Sequence, residues 1–281
     1  MSAAGFFKIT RPVNAIVAGI AAIVAYLIAT GTVIPATLLL FVIVALITSA
    51  GNVINDYFDA DIDAVNRPDR PIPSGSVSRE SAIRFALVLF VAGVFFSLFT
   101  TPLCIGLAVF NSLLLVAYAS RLKRCPLVGN IVVSYLSASM FLFGGALNGA
   151  GSMFHVLPVA AITFFAMLAR ELLKASEDVE GDRKGGADTL PIRIGVPSTV
   201  RLAFLCAVFA VVTSITPYLW WGWGAWYLGG ITVVDIIIMV AASKSVTCRT
   251  PECVKASKAS AILKAGFFAS LIVFSVSAVF L

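Results

Sequence analysis

The chain has 281 residues, of which 60% are apolar and 12% charged, with a formal net charge of +6. Soluble domains average about 25% charged residues, so this composition excludes an ordinary pair of soluble domains. It also excludes a disordered chain, a collagen-like chain and a disulfide scaffold, and predicts one membrane-embedded domain over residues 1–281.

In chain order, Pro12 to Asn55 is 44 residues without Asp, Glu, Lys or Arg. Phe85 to Ser120 is 36 more, and Cys125 to Ala169 is 45, with His155 its one titratable base. Leu202 to Ser243 is 42, interrupted only by Asp235, and Ala265 to Leu281 is a last 17. One spanning helix needs about 20 apolar residues, so each long stretch has room for two. Turn residues stand near the middle of each: Gly31 to Pro35, Thr100-Thr101-Pro102, Asn148 to Gly151, and Pro217 with the Trp/Gly run after it. The expectation is an all-α membrane protein of nine transmembrane helices, four hairpins and a final span, around a central cavity. The first apolar run is too long for the apolar region of a secretory signal and reads as the first span.

Hairpins return the chain to the side it left. All 20 Lys and Arg lie in the segments between hairpins, and none at the hairpin tips. Short cytoplasmic loops are rich in Lys and Arg, so the N-terminus and this face are expected to be cytoplasmic, in the cell membrane. The net positive charge then reflects topology and attraction to anionic membrane lipids, and not nucleic acid. Of the five cysteines, Cys104 and Cys206 fall in expected spans, and Cys125, Cys248 and Cys253 in charged segments. A reducing cytoplasm argues against disulfides there, and the spacing of Cys248 and Cys253 does not suit zinc. His155 and Trp220, Trp221, Trp223 and Trp226 sit at hairpin tips, where an aromatic belt is expected.

Thirteen of the 14 acids fall in the charged segments, most of them in two groups, Asn55 to Asp63 and Glu177 to Asp182. Residues four apart share a helix face, so Asn55, Asp59 and Asp63 form one acidic stripe and Asp178 and Asp182 another. Like charges at that spacing repel and call for a cation. Three readings compete. One is a solvated acidic loop neutralised by nearby Arg. One is a calcium site, which the four-residue repeat does not fit. The third is a magnesium–diphosphate site, since Mg²⁺ is held by a few carboxylates plus substrate phosphates and basic side chains take the remaining oxygens.

Asn55-Asp56-x-x-Asp59-x-x-x-Asp63 resembles the first aspartate-rich motif of the UbiA-type intramembrane prenyltransferases, and Asp178-x-x-x-Asp182 their second. Arg67-Pro68-x-Arg70-Pro71 to Gly75, Lys8-x-x-Arg11-Pro12-x-Asn14, and Tyr118 to Lys123 extend the resemblance over nearly the whole chain. It implies nine spans, Mg²⁺ as cofactor, and a prenyl diphosphate donor with a lipid-like acceptor. Asn55, Asp59, Asp63, Asp178 and Asp182 are then the catalytic metal ligands. Lys8, Arg11, Asn14, Arg67, Arg70, Tyr118, Lys123 and Lys174 are the substrate contacts. The sequence does not identify the base that deprotonates the acceptor: Asp56, Asp61 and the released diphosphate are the candidates. The run from Arg170 through Arg183 to Thr189-Leu190-Pro191 most resembles members that transfer a geranylgeranyl group to geranylgeranylglyceryl phosphate, forming an ether in archaeal lipid synthesis. Those members often carry an acid where this chain has Ala175. The alternatives are an aromatic acceptor and, in another class, a secondary transporter using Asp235, since an intramembrane acid is a functional candidate by default. Pro71 follows Asp63 by eight residues and Pro191 follows Asp182 by nine, which suggests an internal four-helix repeat facing the stripes across the cavity.

Overall fold

The computed structural model describes residues 2–280. Among them the regular structure is helical throughout: α1 (Ala3–Ile9), α2 (Pro12–Thr30), α3 (Ala36–Phe58), α4 (Ala60–Asn66), α5 (Arg79–Ser97), α6 (Pro102–Ser120), α7 (Val128–Leu147), α8 (Ala150–His155) and α9 (Leu157–Glu177). There follow α10 (Val179–Lys184), α11 (Leu190–Ile194), α12 (Val196–Ser214), α13 (Thr216–Trp221), α14 (Ala225–Val246), α15 (Pro251–Ser257) and α16 (Ala259–Val279), with a 3₁₀ turn at Leu122–Arg124.

The expected hairpin tips are the observed ones. Gly31 takes the left-handed conformation (φ 69°) that ends α2 and accepts no side chain easily. Thr101 caps α6 by accepting from the Cys104 amide, and Pro102 occupies the first helical position, where no amide is needed. Eight helices among the described residues are long and apolar enough to cross a membrane, α12 being continued by α13 in this respect. The ninth long helix, α9, has 21 residues but carries Arg170, Glu171, Lys174 and Glu177 towards its end. Those charges all lie after Ala169, where the uncharged stretch that marks α9 as a span ends.

The chain forms two compact units, residues 1–122 with 140–154, and residues 123–139 with 155–281. In the first unit α3 is the centre, packed by α2, α5 and α6. Its buried face comprises Leu40, Ile43, Ile47, Ala50, Val53 and Ile54. Small residues let helices approach closely, as is usual in membranes. A Cβ placed on Gly144 would lie 2.4 Å from the Ala22 carbonyl oxygen and 2.5 Å from the Ala25 Cβ. The opposite faces stay apolar and exposed, with Leu87, Val88, Val91 and Phe95 on α5. In the second unit α9, α12, α14 and α16 pack together.

Two sequence expectations are corrected here. Trp223 is not a belt residue: it is 2% exposed, among the rings of Trp221, Tyr227 and Phe274. Trp220 and Trp226 are exposed, and His155 stacks on Trp221. Cys248 and Cys253 form a disulfide. The turn between α14 and α15, capped by Thr250 accepting from the Cys253 amide, brings their Cα atoms to 5.5 Å, within the bridging range. Cys104 and Cys206 are free and buried.

Candidate active site

The first acidic stripe grows out of α3. Asp59 ends α3 and begins α4 in a right-handed conformation, so the helical ladder passes through it. The Asp59 amide donates to the Asn55 carbonyl (3.0 Å), Asp63 to Asp59 (2.8 Å) and Arg67 to Asp63 (2.8 Å). Asn55, Asp59 and Asp63 therefore share a face, as the spacing implied. The Asn55 amide nitrogen donates to Asp59 Oδ2 at 2.9 Å.

Cations from elsewhere in the first unit answer these acids. Arg70 Nη1 donates to Asp63 Oδ2 at 2.5 Å and to Asp56 Oδ1 at 3.2 Å. Arg11 Nη2 donates to the same Asp56 oxygen at 2.5 Å. Asp56 and Asp63 are buried, with 4% and 5% exposure. Arg11 caps α2 with φ 51°, a left-handed conformation uncommon for a residue with a side chain. The segment before it is tied down at several points. Ser2 donates to the Ser76 carbonyl (3.0 Å), Lys8 Nζ to the Asp69 carbonyl (3.0 Å), and Asn52 Nδ2 to the Thr10 carbonyl (3.0 Å).

Both acids among the candidate bases are engaged by arginine. Asp56 is bound by two guanidinium groups, and Asp61 is exposed and held by Arg79 at 3.1 and 3.2 Å. Arg79 also lies over the Tyr57 ring, 5.2 Å from its centroid. Neither acid is placed as an open proton acceptor. Asn14 is exposed in the first turn of α2, Arg67 is exposed after α4, and Tyr118 is half-buried at the end of α6.

The second stripe grows out of α9 in the same manner. The Asp178 amide donates to Lys174 (3.1 Å), and Asp182 to Asp178 (2.9 Å). Lys174, Asp178 and Asp182 thus continue one face through α10. Lys174 Nζ pairs with Asp178 Oδ2 at 2.7 Å. Burial pushes the Asp182 carboxyl above its ordinary range, and the charge on Asp178 acts in the same direction. Beside this stripe Asp188 accepts from Arg193 at 2.5 and 2.8 Å, and its amide donates to the Arg124 carbonyl. Lys123 is half-buried in the 3₁₀ turn. Sequence spacing did not reveal Asn52, the shared role of Asp56, or Arg170. Each depends on contacts between segments or on the way a side chain is buried.

Deeper in the second unit, Ser214 Oγ donates to Asp235 Oδ2 at 2.6 Å, and Tyr227 Oη donates to the Ser214 carbonyl at 2.6 Å. The intramembrane acid is therefore partnered.

A model of the UbiA prenyltransferase family matches residues 18–272. The chain belongs to that family. It is 60% identical to digeranylgeranylglyceryl phosphate synthase of Methanoregula boonei over 281 residues, the whole of both chains. It is 39% identical to the synthase of that name from Methanopyrus kandleri, covering 97% of this chain and 98% of the relative. A solved structure of a digeranylgeranylglyceryl phosphate synthase shares 35% identity with a TM-score of 0.83, over 99% of this chain and 98% of the other. A UbiA homologue from Archaeoglobus fulgidus, solved with DMAPP and Mg²⁺, shares the fold at TM-score 0.59 and 14% identity, over 96% of this chain and 99% of that one. The chain is accordingly a prenyltransferase and a multi-pass membrane protein.

The donor set suits a hard cation. Asn55, Asp59, Asp63, Asp178 and Asp182 offer only amide and carboxylate oxygens. Among the described residues no group of three or more His, Cys, Asp or Glu is placed to hold a metal ion by itself. It is the oxygen-only chemistry of these side chains that suits Mg²⁺, which keeps several waters and is completed by substrate phosphates.

Proposed function

We propose that residues 1–281 work as one digeranylgeranylglyceryl phosphate synthase domain. It transfers a geranylgeranyl group from geranylgeranyl diphosphate to geranylgeranylglyceryl phosphate. The observation that carries this reading is the end-to-end likeness to the Methanoregula boonei synthase, 60% identical with no segment of either chain left over. The Archaeoglobus fulgidus homologue solved with a prenyl diphosphate and Mg²⁺ supports the donor and the metal. The confinement of Lys and Arg to one set of loops supports a cytoplasmic active face.

In this reading Asn55, Asp59 and Asp63, and separately Asp178 and Asp182, would hold Mg²⁺. Bound there, the ion would supply Lewis-acid stabilisation to the leaving diphosphate. Lys8, Arg11, Asn14, Arg67, Arg70, Tyr118, Lys123 and Lys174 contact the substrates. Arg11 and Arg70 are set in place by Asp56, so their remaining N–H groups are preorganised for phosphate oxygens. The C–O bond between the prenyl group and the diphosphate breaks, and its electron pair stays with the diphosphate. The acceptor hydroxyl oxygen forms the new bond to the allylic carbon, and its proton goes to the released diphosphate. No side-chain base is required, in keeping with the engagement of Asp56 and Asp61 by arginine. Apolar helices keep water from the allylic cation.

The test uses purified protein in detergent with Mg²⁺, radiolabelled geranylgeranyl diphosphate and a panel of acceptors. Ether product with geranylgeranylglyceryl phosphate is expected. Product with an aromatic acceptor alone would replace this reading with the aromatic branch of the family.

A further inference from the structure

Helix α9 differs from the other long helices in where it keeps its charge. Arg170 lies well before its end, preceded by Phe164, Phe165, Ala166, Met167, Leu168 and Ala169. A charge among such neighbours is costly and marks function by default. Arg170 folds onto its neighbour Glu171, with Nη1 donating to Oε1, and the two side chains are only 21% and 17% exposed. Adjacent helical positions do not ordinarily face each other, so this pairing uses one edge of the guanidinium and turns the other away. On that other edge Nε is buried and has no hydrogen-bond partner among the described residues. A buried donor without a partner is destabilising and asks what completes it.

The position of Arg170 answers in part. It stands four residues before Lys174, which stands four before Asp178 and eight before Asp182, on one continuous helical ladder. The face therefore runs from two cations to two acids. The acids are the proposed metal ligands for the donor's diphosphate. The two cations, one and two turns deeper along the helix, suit a second anion carried by a lipid. The proposed acceptor carries one, a phosphate monoester next to the glycerol hydroxyl that reacts. Guanidinium groups grip phosphate through two parallel N–H donors, and the Nε–Nη2 edge of Arg170 is the edge that Glu171 leaves over.

We propose that Arg170, with Lys174, binds the phosphate of the acceptor and so selects lipid phosphates over uncharged and aromatic acceptors. This rests on the function proposed above. Glu171 is a positioning residue that holds the guanidinium by Nη1.

The experiment measures kcat and KM separately for donor and acceptor, with geranylgeranylglyceryl phosphate and with geranylgeranylglycerol, which lacks the phosphate. The variants are Arg170→Gln and Arg170→Lys. Loss of a charge-assisted pair of hydrogen bonds corresponds to about 10- to 100-fold. Arg170→Gln should raise the KM for the phosphorylated acceptor by about that factor, leaving the donor KM within about twofold. With geranylgeranylglycerol, wild type and Arg170→Gln should be equally poor, because the group that Arg170 recognises is gone. Arg170→Lys keeps the charge without the fork and should fall between, which maintains the test if the Gln variant does not fold. Equal losses on both acceptors, or an unchanged acceptor KM in both variants, would overturn the assignment of Arg170. If the wild-type protein itself makes no product from geranylgeranylglyceryl phosphate, the functional reading fails and not merely this site.

Discussion

Arg70 is the cation on which the first stripe depends most, and replacing it should be costly to the fold. Its Nη1 bridges Asp56 and Asp63, whose side chains are 5% and 8% exposed, and its own is 17% exposed. In Arg70→Met, Asp56 keeps Arg11, but the buried Asp63 loses its ion-pair partner. Removing one partner of a buried ion pair costs about 3–5 kcal/mol. The retained Arg11–Asp56 pair places this case near the lower end, at about 3 kcal/mol. For a protein of this size each kcal/mol moves Tm by about 2–4 °C, so a drop of about 6–12 °C is expected. Asp63→Asn should cost much less, about 1 kcal/mol, because Arg70 still has Asp56. Adding Asp63→Asn to Arg70→Met should restore part of the loss, since it removes the unpaired carboxylate. Thermal unfolding in detergent can be followed with a thiol-reactive dye in a Cys125→Ser background, because Cys125 is half-buried whereas the free thiols of Cys104 and Cys206 are buried until the helices separate. An Arg70→Met protein melting within about 2 °C of the parent would refute the argument. So would a double variant less stable than Arg70→Met alone.

Chelation with EDTA should abolish prenyl transfer and added Mg²⁺ should restore it; turnover that survives exhaustive chelation would remove all five proposed ligands. Asp59→Asn and Asp182→Asn should each abolish turnover in folded protein, and the double variant should be little worse than either, since groups acting as a unit are not additive. Near-normal turnover by Asp182→Asn would reduce the second stripe to a solvated segment. Glu252→Gln, in α15 and outside both stripes, should leave turnover unchanged. Arg193 holds the exposed Asp188 carboxyl below its ordinary range. Its small stabilising contribution should be present above the unfolded-state pKa and vanish as pH falls through the lower folded value, so melting of Asp188→Asn and parent should converge in acid.

Much of this was legible in the sequence because it is local. Gly31, Thr101-Pro102 and Asn148-Gly149 are turn chemistry, and each ends or begins a helix where expected. The stripes are also local, since four-residue spacing and an unbroken ladder are the same fact. What escaped the sequence is contact between distant segments. No spacing rule brings Arg11 to Asp56, 45 residues later, or joins Asn52 to Thr10. Trp223 shares the composition of the surrounding aromatic run, and only the packing of Phe274 and Tyr227 around it makes it core. The Cys248–Cys253 pairing was judged from compartment, whereas the turn before α15 decides it by distance. Asp235 stands out in the sequence as an intramembrane acid, but no spacing rule finds its partner, because Ser214 lies 21 residues away and on another helix.

The way each stripe leaves its span bears on what it can do. A membrane helix ordinarily ends at the interface with a turn, and residues beyond it lose their register. At Asp59 the backbone stays right-handed (φ −89°, ψ −1°) and the amides of Asp59 and Asp63 go on donating four residues back. At Asp178 the same continuation carries Asp182. The acids are therefore held with the stiffness of long helices whose other ends are packed in apolar cores. Groups that bind a metal–diphosphate unit must be held to within about 0.5 Å, and helices do this better than loops. Repulsion within each stripe would favour fraying at this point. In the first stripe the Asn55–Asp59 hydrogen bond and Arg70 oppose it; in the second Lys174 does, pairing with Asp178 at 2.7 Å. Cations paired along the stripes would also serve a neutralised acidic face, but a solvated loop would not need the continued ladder. That ladder keeps the acids in register past Asp59 and Asp178, and it is what favours the metal–phosphate reading.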